Sequence, residues 1–272
     1  AKVEAPFFAK YLKDKGEAPP EATMFQTGLN QWKKYDSWPP KEMVRKTLYF
    51  QANGKLGLEP AAADGKDEYI SDPANPVPYR HRPINPTYQG PGWTTWMLED
   101  QRFVHKRPDT LSYESEPLTE DLVVAGSMTV KIFGSTTGTD CDWIAKLIDI
   151  YPETAPSTDR NVVMGGYQLM ISGDPVRARF RKSYEKPEPV TPGAVEEYSV
   201  DLHWGHHRFK KGHRVMVQIQ STWFPVIDRN PQKYVPNIYE AKDSDFQKAT
   251  MDVHRGPKYP SGVILDTLPE TK

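Results

Sequence analysis

Residues 213–221 read HRVMVQIQS, and this stretch decides the fold class because apolar and polar residues alternate along it. The residues predicted to face the core are Val215, Val217 and Ile219. Those predicted to lie on a wetter face are Arg214, Met216, Gln218 and Gln220. A period of two with one wet face is typical of an antiparallel strand.

Other segments carry the same kind of pattern. Residues 196–203 alternate in the same way, whereas 143–151 (WIAKLIDIY) are apolar on both faces and predict a central strand. Further strands are predicted at 110–115, 121–133, 162–171, 248–254 and 261–266. Short strands without intervening helices indicate a mainly β protein, either a sandwich or a jelly roll.

The first 58 residues differ from this pattern. Val3, Phe7, Phe8, Tyr11 and Leu12 recur at helical spacing and predict a short amphipathic helix over 3–13. Two strands are predicted at Thr23 to Thr27 and at Lys46 to Gln51. One helix and two strands do not make a domain by themselves.

A proline-rich stretch at 59–98 predicts a boundary. Prolines recur there from Pro60 to Pro91, so the stretch is not expected to form a central strand. Its aromatic residues argue against disorder. They are Tyr69, Tyr79, Tyr88, Trp93 and Trp96.

Composition excludes several functions. The 35 Lys and Arg against 36 Asp and Glu leave a formal charge of −1, so no nucleic-acid or anionic-membrane partner is expected. No apolar run approaches the roughly 20 residues of a spanning helix. Cys141 is the single cysteine, which excludes an internal disulfide and a cysteine-cluster metal site. We expect no cofactor.

A serine nucleophile has no local support, because the pattern G-x-S-x-G occurs nowhere in the 272 residues. Residues 134–138 (GSTTG) place serine second rather than third, and we predict that they form a hairpin loop between two strands.

Two clusters could hold a metal. Asp140 and Asp142 project on one strand face and could share a hard cation such as calcium; the alternative is that Arg or Lys side chains neutralise them. The histidines at 203, 206, 207 and 213 are the second cluster. The alternative to metal binding is that these histidines are polar turn residues, with one structural histidine beside Arg214.

Residues 90–102 carry the remaining candidates. Trp93, Trp96 and Met97 form a dense apolar loop, which fits either a pocket border or ordinary core packing. Asp100 and Arg102 flank Gln101, and Arg102 could grip a carboxylate with two hydrogen bonds. We interpret Asp100 and Arg102 as a structural strap, with a substrate clamp as the alternative.

Several motifs resemble one superfamily of serine hydrolases. Residues 100–102, 117–149 (PLTEDLVVAGSMTVKIFGSTTGTDCDWIAKLID) and 212–230 (GHRVMVQIQSTWFPVIDRN) resemble the C-terminal β-domain of the cocaine-esterase and X-prolyl dipeptidyl-peptidase superfamily. Residues 6–12 (PFFAKYL) and 28–39 (GLNQWKKYDSWP) resemble the tail of its α/β-hydrolase core, closest to the α-amino-acid ester hydrolase and glutaryl-acylase branch.

The resemblance implies a division into three parts. Residues 1–58 would be the C-terminal remnant of an α/β-hydrolase core, 59–98 a linker, and 99–272 a jelly-roll, galactose-binding-like β-sandwich. In the relatives the catalytic serine, acid and histidine precede the helix that begins this chain, so none of the three is carried over. The implied partner is the missing N-terminal α/β-hydrolase portion, and a homo-oligomer is expected for the full-length form.

The implied function is that of a non-catalytic β-domain portion of a serine ester or amide hydrolase, which braces the catalytic core and borders its acyl pocket. The alternative is a free-standing jelly-roll module that binds carbohydrate or protein through Trp204, Trp223 and Phe224. The sequence leaves the compartment open, and a periplasmic or secreted location would suit the full-length parent.

Overall fold

A computed structural model describes residues 3–84, 95–157 and 162–269. In these ranges the helices are α1 (Glu4–Lys13) and α2 (Arg102–His105). The first strands are β1 (Ala22–Gln26), β2 (Gln31–Tyr35), β3 (Val44–Gln51), β4 (Lys55–Gly57), β5 (Gly65–Ser71) and β6 (Leu111–Glu114). The others are β7 (Leu122–Thr136), β8 (Asp142–Ile150), β9 (Gln168–Arg177), β10 (Glu196–Phe209), β11 (Arg214–Gln220), β12 (Ala249–Arg255) and β13 (Gly262–Leu268).

The strands form one hairpin and one large sheet. β1 pairs with β2, whereas the large sheet has the order β5-β12-β7-β13-β3-β4-β6-β11-β8-β9, with β10 added beside β7. Strands from both ends of this order bury side chains in one hydrophobic cluster, including Val253 of β12 and Leu147 of β8. The sheet is therefore folded over as a sandwich around one main core, and the predicted mainly β fold is confirmed.

The alternation along β11 predicted one of its two faces correctly. Val215, Val217 and Ile219 are fully buried in the main core, as expected. The prediction of a wetter opposite face is wrong for Met216, Gln218 and Gln220, which are also fully buried. Arg214 is partly exposed.

A second hydrophobic cluster explains the difference. Met216 packs there with Ile144 and Ile148 of β8, and loop residues such as Tyr79 and Trp223 lie over them. The outer side of β11 and β8 is thus covered by loops that have no periodic pattern of their own.

Two expectations for the first 98 residues need correction. β3 pairs with β13 and β4, so these strands belong to the large sheet rather than to a separate remnant ending at residue 58. The stretch 59–98 contains β5, which the proline-rich composition did not predict. β5 stands at the end of the strand order and pairs with β12 there, so it is an edge strand and not a central one.

The predicted N-terminal helix is present, but no residue of α1 is buried. Phe7, Phe8, Tyr11 and Leu12 are all exposed. α1 therefore presents an apolar face that nothing in the described residues covers.

The β1–β2 hairpin is held to β10 through Thr27, whose backbone forms hydrogen bonds to residues 206 and 208.

No helix in the described part of the chain combines the length and the apolar character that crossing a membrane requires.

Candidate functional site

The motif at 100–102 ties one loop to another. The Asp100 carboxylate accepts hydrogen bonds from the Arg102 Nε at 2.6 Å and from the Gln168 backbone N–H at 3.2 Å. The Arg102 guanidinium also donates to the carbonyl oxygen of Gly165 at 3.0 Å. These contacts join residues 100–102 to the segment before β9, so the arginine is already engaged by protein groups.

Between these two outward-facing residues, Gln101 points into the molecule. It is buried, and its Oε1 accepts a hydrogen bond from Lys146 Nζ at 3.0 Å. Lys146 lies in the middle of β8 and is 0% exposed, and its Nζ lies 4.9 Å from the centre of the Trp223 ring. Burial lowers the pKa of Lys146 to about 7.

Lys146 is not among the site residues predicted from the sequence, because residues 143–151 are otherwise apolar on both faces. The available signal was a single lysine inside that run. A lysine at a position where both faces are buried must itself be desolvated, which is costly unless it is paired or neutral.

The candidate pocket border is described only in part. Trp93 lies outside the described residues. Trp96 is half-buried and packs edge to face on Tyr79, with a ring separation of 5.5 Å. Met97, by contrast, is 55% exposed. Trp96 therefore has a packing role, whereas Met97 is accessible to solvent.

Asp140 and Asp142 each have an arginine partner. Arg179 donates to Asp140 with an Nε–Oδ2 distance of 2.7 Å, and Arg177 grips Asp142 through two bonds of 2.9 and 2.8 Å. Asn230 adds a bond of 2.9 Å to Asp142. Both carboxylates are therefore occupied by side chains, which is the alternative to a shared cation.

The histidines at 206 and 207 are buried strand residues of β10, so the expectation of polar turn histidines is wrong for both. His207 and His213 hydrogen-bond to the two oxygens of Asp149, at 3.2 and 2.8 Å. Burial raises the pKa of Asp149, but the bonds from the two histidines outweigh it and the net pKa is lowered. This Asp149 cluster joins β8, β10 and the start of β11.

His203 and His206 take other positions. His203 stands at an irregularity of β10 with a φ of 62°, and its Nε2 lies 2.9 Å from an oxygen of Asp174. His206 Nε2 lies 2.8 Å from Gln26 Nε2 and 3.0 Å from the Tyr35 hydroxyl, so it holds the β1–β2 hairpin. Burial, the first of several causes, lowers the pKa of His206 to about 4.

Ser135, the serine of the GSTTG stretch, lies inside β7 and not in a loop, and β7 does not pair with β8, so the prediction of a hairpin loop at 134–138 is wrong. Its hydroxyl is 3.0 Å from His254 Nε2 and 3.2 Å from an oxygen of Asp252. A catalytic triad needs the histidine between serine and carboxylate. Here Ser135 itself bridges the other two, and it is buried in the sheet.

In the ranges that the structure describes, no three His, Cys, Asp or Glu side chains are placed to hold a metal ion.

The aromatic residues proposed for the alternative binding module differ in their exposure to solvent. Trp204 and Phe224 are exposed, whereas Trp223 is buried over Lys146.

Comparison with known proteins places this sandwich in a family. A protein-family model described as the X-Pro dipeptidyl-peptidase C-terminal non-catalytic domain matches residues 14–264. This chain belongs to that family. The match runs from the end of α1 into β13, so this C-terminal domain takes in the hairpin β1–β2, the 59–98 stretch and the large sheet.

Individual relatives of the domain carry hydrolase names. It is 28% identical over 280 residues to cocaine esterase from Rhodococcus sp. (strain MB1 Bresler), covering 96% of this chain and 45% of that protein. The crystal structure of an aminopeptidase from a marine sediment Thaumarchaeota archaeon matches with 44% identity and a TM-score of 0.92. That match covers 98% of this chain and 44% of the aminopeptidase.

A solved α-amino acid ester hydrolase is similarly close, with 44% identity, a TM-score of 0.89 and coverage of 97% of this chain and 44% of the other. The resemblance found in the sequence is thereby confirmed. This chain spans less than half of the length of each of these three relatives.

Proposed function

We propose that this chain is the non-catalytic C-terminal portion of a larger serine ester or amide hydrolase, where it braces the catalytic part and borders the acyl pocket. One observation carries the proposal. The chain is similar over nearly its whole length to proteins with esterase, aminopeptidase and ester-hydrolase names, and it spans only 44–45% of three of them.

The uncovered face of α1 supports contact with a catalytic part. Phe7 packs on Phe8 and on Tyr11, with ring separations of 5.5 and 4.9 Å, and all three remain exposed. Burying one such side chain stabilises a protein by roughly 1.5–3 kcal/mol. A helix with this face gains stability when another surface covers it. Oligomerisation of the full-length form stays a prediction.

The segment at 95–98 supports the role at the acyl pocket. Met97 and Leu98 are exposed, while the contacts of Asp100 and Arg102 hold the chain immediately after them. Exposed apolar residues on a loop with a braced base suit a contact with substrate or with a neighbouring domain.

The isolated chain is expected to be inactive as a hydrolase. Acyl transfer relies on a nucleophile, a general base and an oxyanion hole, and none is carried over to this chain. Purified chain should give no enzymatic release of p-nitrophenol from p-nitrophenyl acetate and no hydrolysis of phenylglycine methyl ester.

The decisive control is labelling with a fluorophosphonate, which modifies activated serines. Stoichiometric labelling of one serine, Ser135 included, would contradict the proposal. Ser135→Ala provides the matched variant that identifies the labelled position.

Met97→Ala tests the acyl-pocket assignment in the full-length enzyme. Because Met97 is exposed, the substitution should leave the free energy of unfolding of the isolated chain within about 0.5 kcal/mol of wild type. If Met97 contacts the acyl group, discrimination between a bulky aromatic and a small acyl ester should change by about 1–3 kcal/mol in transition-state binding. The measurement is the ratio of kcat/KM for the two esters.

Tyr184→Ala is the control, because Tyr184 is also large and exposed but lies between β9 and β10. It should leave the ratio unchanged. An equal change of both kcat/KM values in Met97→Ala would show that this residue does not sense the acyl group.

A further inference from the structure

Lys146 occupies an unusual position for a lysine. It pairs with Gln218 of β11 on one side and with Gly173 of β9 on the other, so it lies inside the sheet. Gly173 makes room for it, because a Cβ at that position would lie 3.1 Å from the Lys146 Cγ. Gln101 and Trp223 cover the side chain from above.

The surroundings of the amine supply few hydrogen-bond acceptors. Within the described residues, Lys146 donates one hydrogen bond, to Gln101, although an ammonium group carries three donors. The neighbouring Gln218 does not accept from the amine, because both of its amide atoms are buried without a partner in those residues. A neutral amine suits this environment better than an ammonium does.

Among the residues that the structure describes, no charged group stabilises the ammonium form of Lys146. The elements packed on Lys146 present uncharged residues to it: Gly173, Gln218, Gln101 and Trp223. The nearby charged residues of the covering loop are directed elsewhere, since Asp100 pairs with Arg102 and Glu99 pairs with Arg80. Burial is the cause that lowers the pKa of Lys146 to about 7.

We propose that Lys146 is a positioning residue for segment 95–101: as a neutral amine it holds Gln101 against the sheet, and on protonation it releases the segment toward water. The release follows because an ammonium gains hydration only if the covering loop opens. The effect of this release on substrate discrimination rests on the proposed function, because the same segment carries Trp96 and Met97.

The direction of the pH effect follows from linkage. In the closed state the pKa of Lys146 is about 7, whereas an exposed lysine titrates near its ordinary value of about 10.4. The open state therefore binds the proton more tightly, and falling pH favours opening. Closure should be strongest at alkaline pH and should be lost progressively as pH falls toward 7.

The first test uses this chain with isotope-labelled lysine side chains. One lysine should titrate near pH 7, and its signal should disappear in Lys146→Met. Amide hydrogen exchange of residues 95–104, corrected for the intrinsic pH dependence, should speed up as pH falls from about 10 and should level off near pH 7, where the closed state also takes up the proton. Lys131→Met is the matched control, because Lys131 is a strand lysine that reaches solvent, and it should keep both transitions.

Gln101→Glu is a second variant that does not depend on Lys146→Met folding. It places a carboxylate beside the amine, which should raise the pKa of Lys146 and move upward, by about one unit or more, the pH at which exchange levels off. Lysines that all titrate near 10, or exchange at 95–104 without this pH dependence, would overturn the proposal.

The full-length enzyme separates this inference from the proposed function. Its discrimination between bulky and small acyl esters should show an inflection near pH 7 that Lys146→Met removes and Lys131→Met keeps. If the chain shows both transitions but the enzyme has no such inflection, Lys146 is a positioning residue for segment 95–101 and the assignment of this segment to the pocket border is wrong. If the chain shows neither transition, the role proposed for Lys146 is wrong whatever the enzyme does.

Discussion

Val217→Asp is expected to leave the chain unfolded at neutral pH. Val217 is fully buried in β11, between Tyr113 of β6 and Leu147 of β8. An unpaired carboxylate at such a position costs several kcal/mol, against a total stability of about 5–15 kcal/mol for a typical domain. Far-ultraviolet circular dichroism and the urea unfolding curve measure the outcome.

Ser199→Asp is the matched control, because Ser199 lies on an exposed position of a strand in the same sheet. It should change the free energy of unfolding by no more than about 0.5 kcal/mol. A cooperative unfolding transition of Val217→Asp close to that of wild type would contradict the burial of β11. Gln218→Asp should also destabilise the chain, because Gln218 is completely buried.

Arg179→Met is expected to destabilise the chain by about 3–5 kcal/mol, the usual effect of removing one partner of a buried ion pair. Arg179 is 5% exposed and Asp140 is fully buried, so the substitution leaves a carboxylate in the core without its counter-charge. Arg179 also donates to the Val235 carbonyl oxygen at 2.8 Å, and that bond is lost as well. Urea unfolding with a linear extrapolation gives the difference.

Lys182→Met is the comparison, since the Lys182–Glu188 pair is exposed and such pairs contribute about 0–1 kcal/mol. Adding Asp140→Asn to Arg179→Met should restore part of the loss because the uncompensated charge is removed. Equal effects of Arg179→Met and Lys182→Met would contradict the buried pair. A calcium-dependent rise in the unfolding midpoint of wild type would instead support a cation at Asp140 and Asp142.

Most regular elements could be predicted from local patterns. The helix at 3–13 and the strands at 143–151 and 213–221 are observed with small changes of bounds, whereas the strand predicted at 196–203 continues to Phe209. The strand predicted at 162–171 begins only at Gln168 in the structure, and it continues to Arg177 through Pro175. β2 and β5 were missed, because their charged residues hide the alternation that marks a half-buried strand.

The candidate site could be predicted only as a set of residue types. Asp140 and Asp142 were found from the sequence, but their partners Arg179 and Arg177 lie more than 30 positions away. Asp149 was not linked to the histidines, because His207 is 58 positions away in the chain. Local spacing carries no information on such pairs, which strand pairing brings together.

The sequence by itself determined the fold class, the inward face of β11 and the family, because each depends on residue order along single segments. Only the tertiary structure decided that the other face of β11 is dry, that Lys146 is buried and that Gln101 is its partner. Those results depend on which loops cover the sheet. Loop residues follow no hydrophobic period, so their position is set by packing between segments that are distant in the chain.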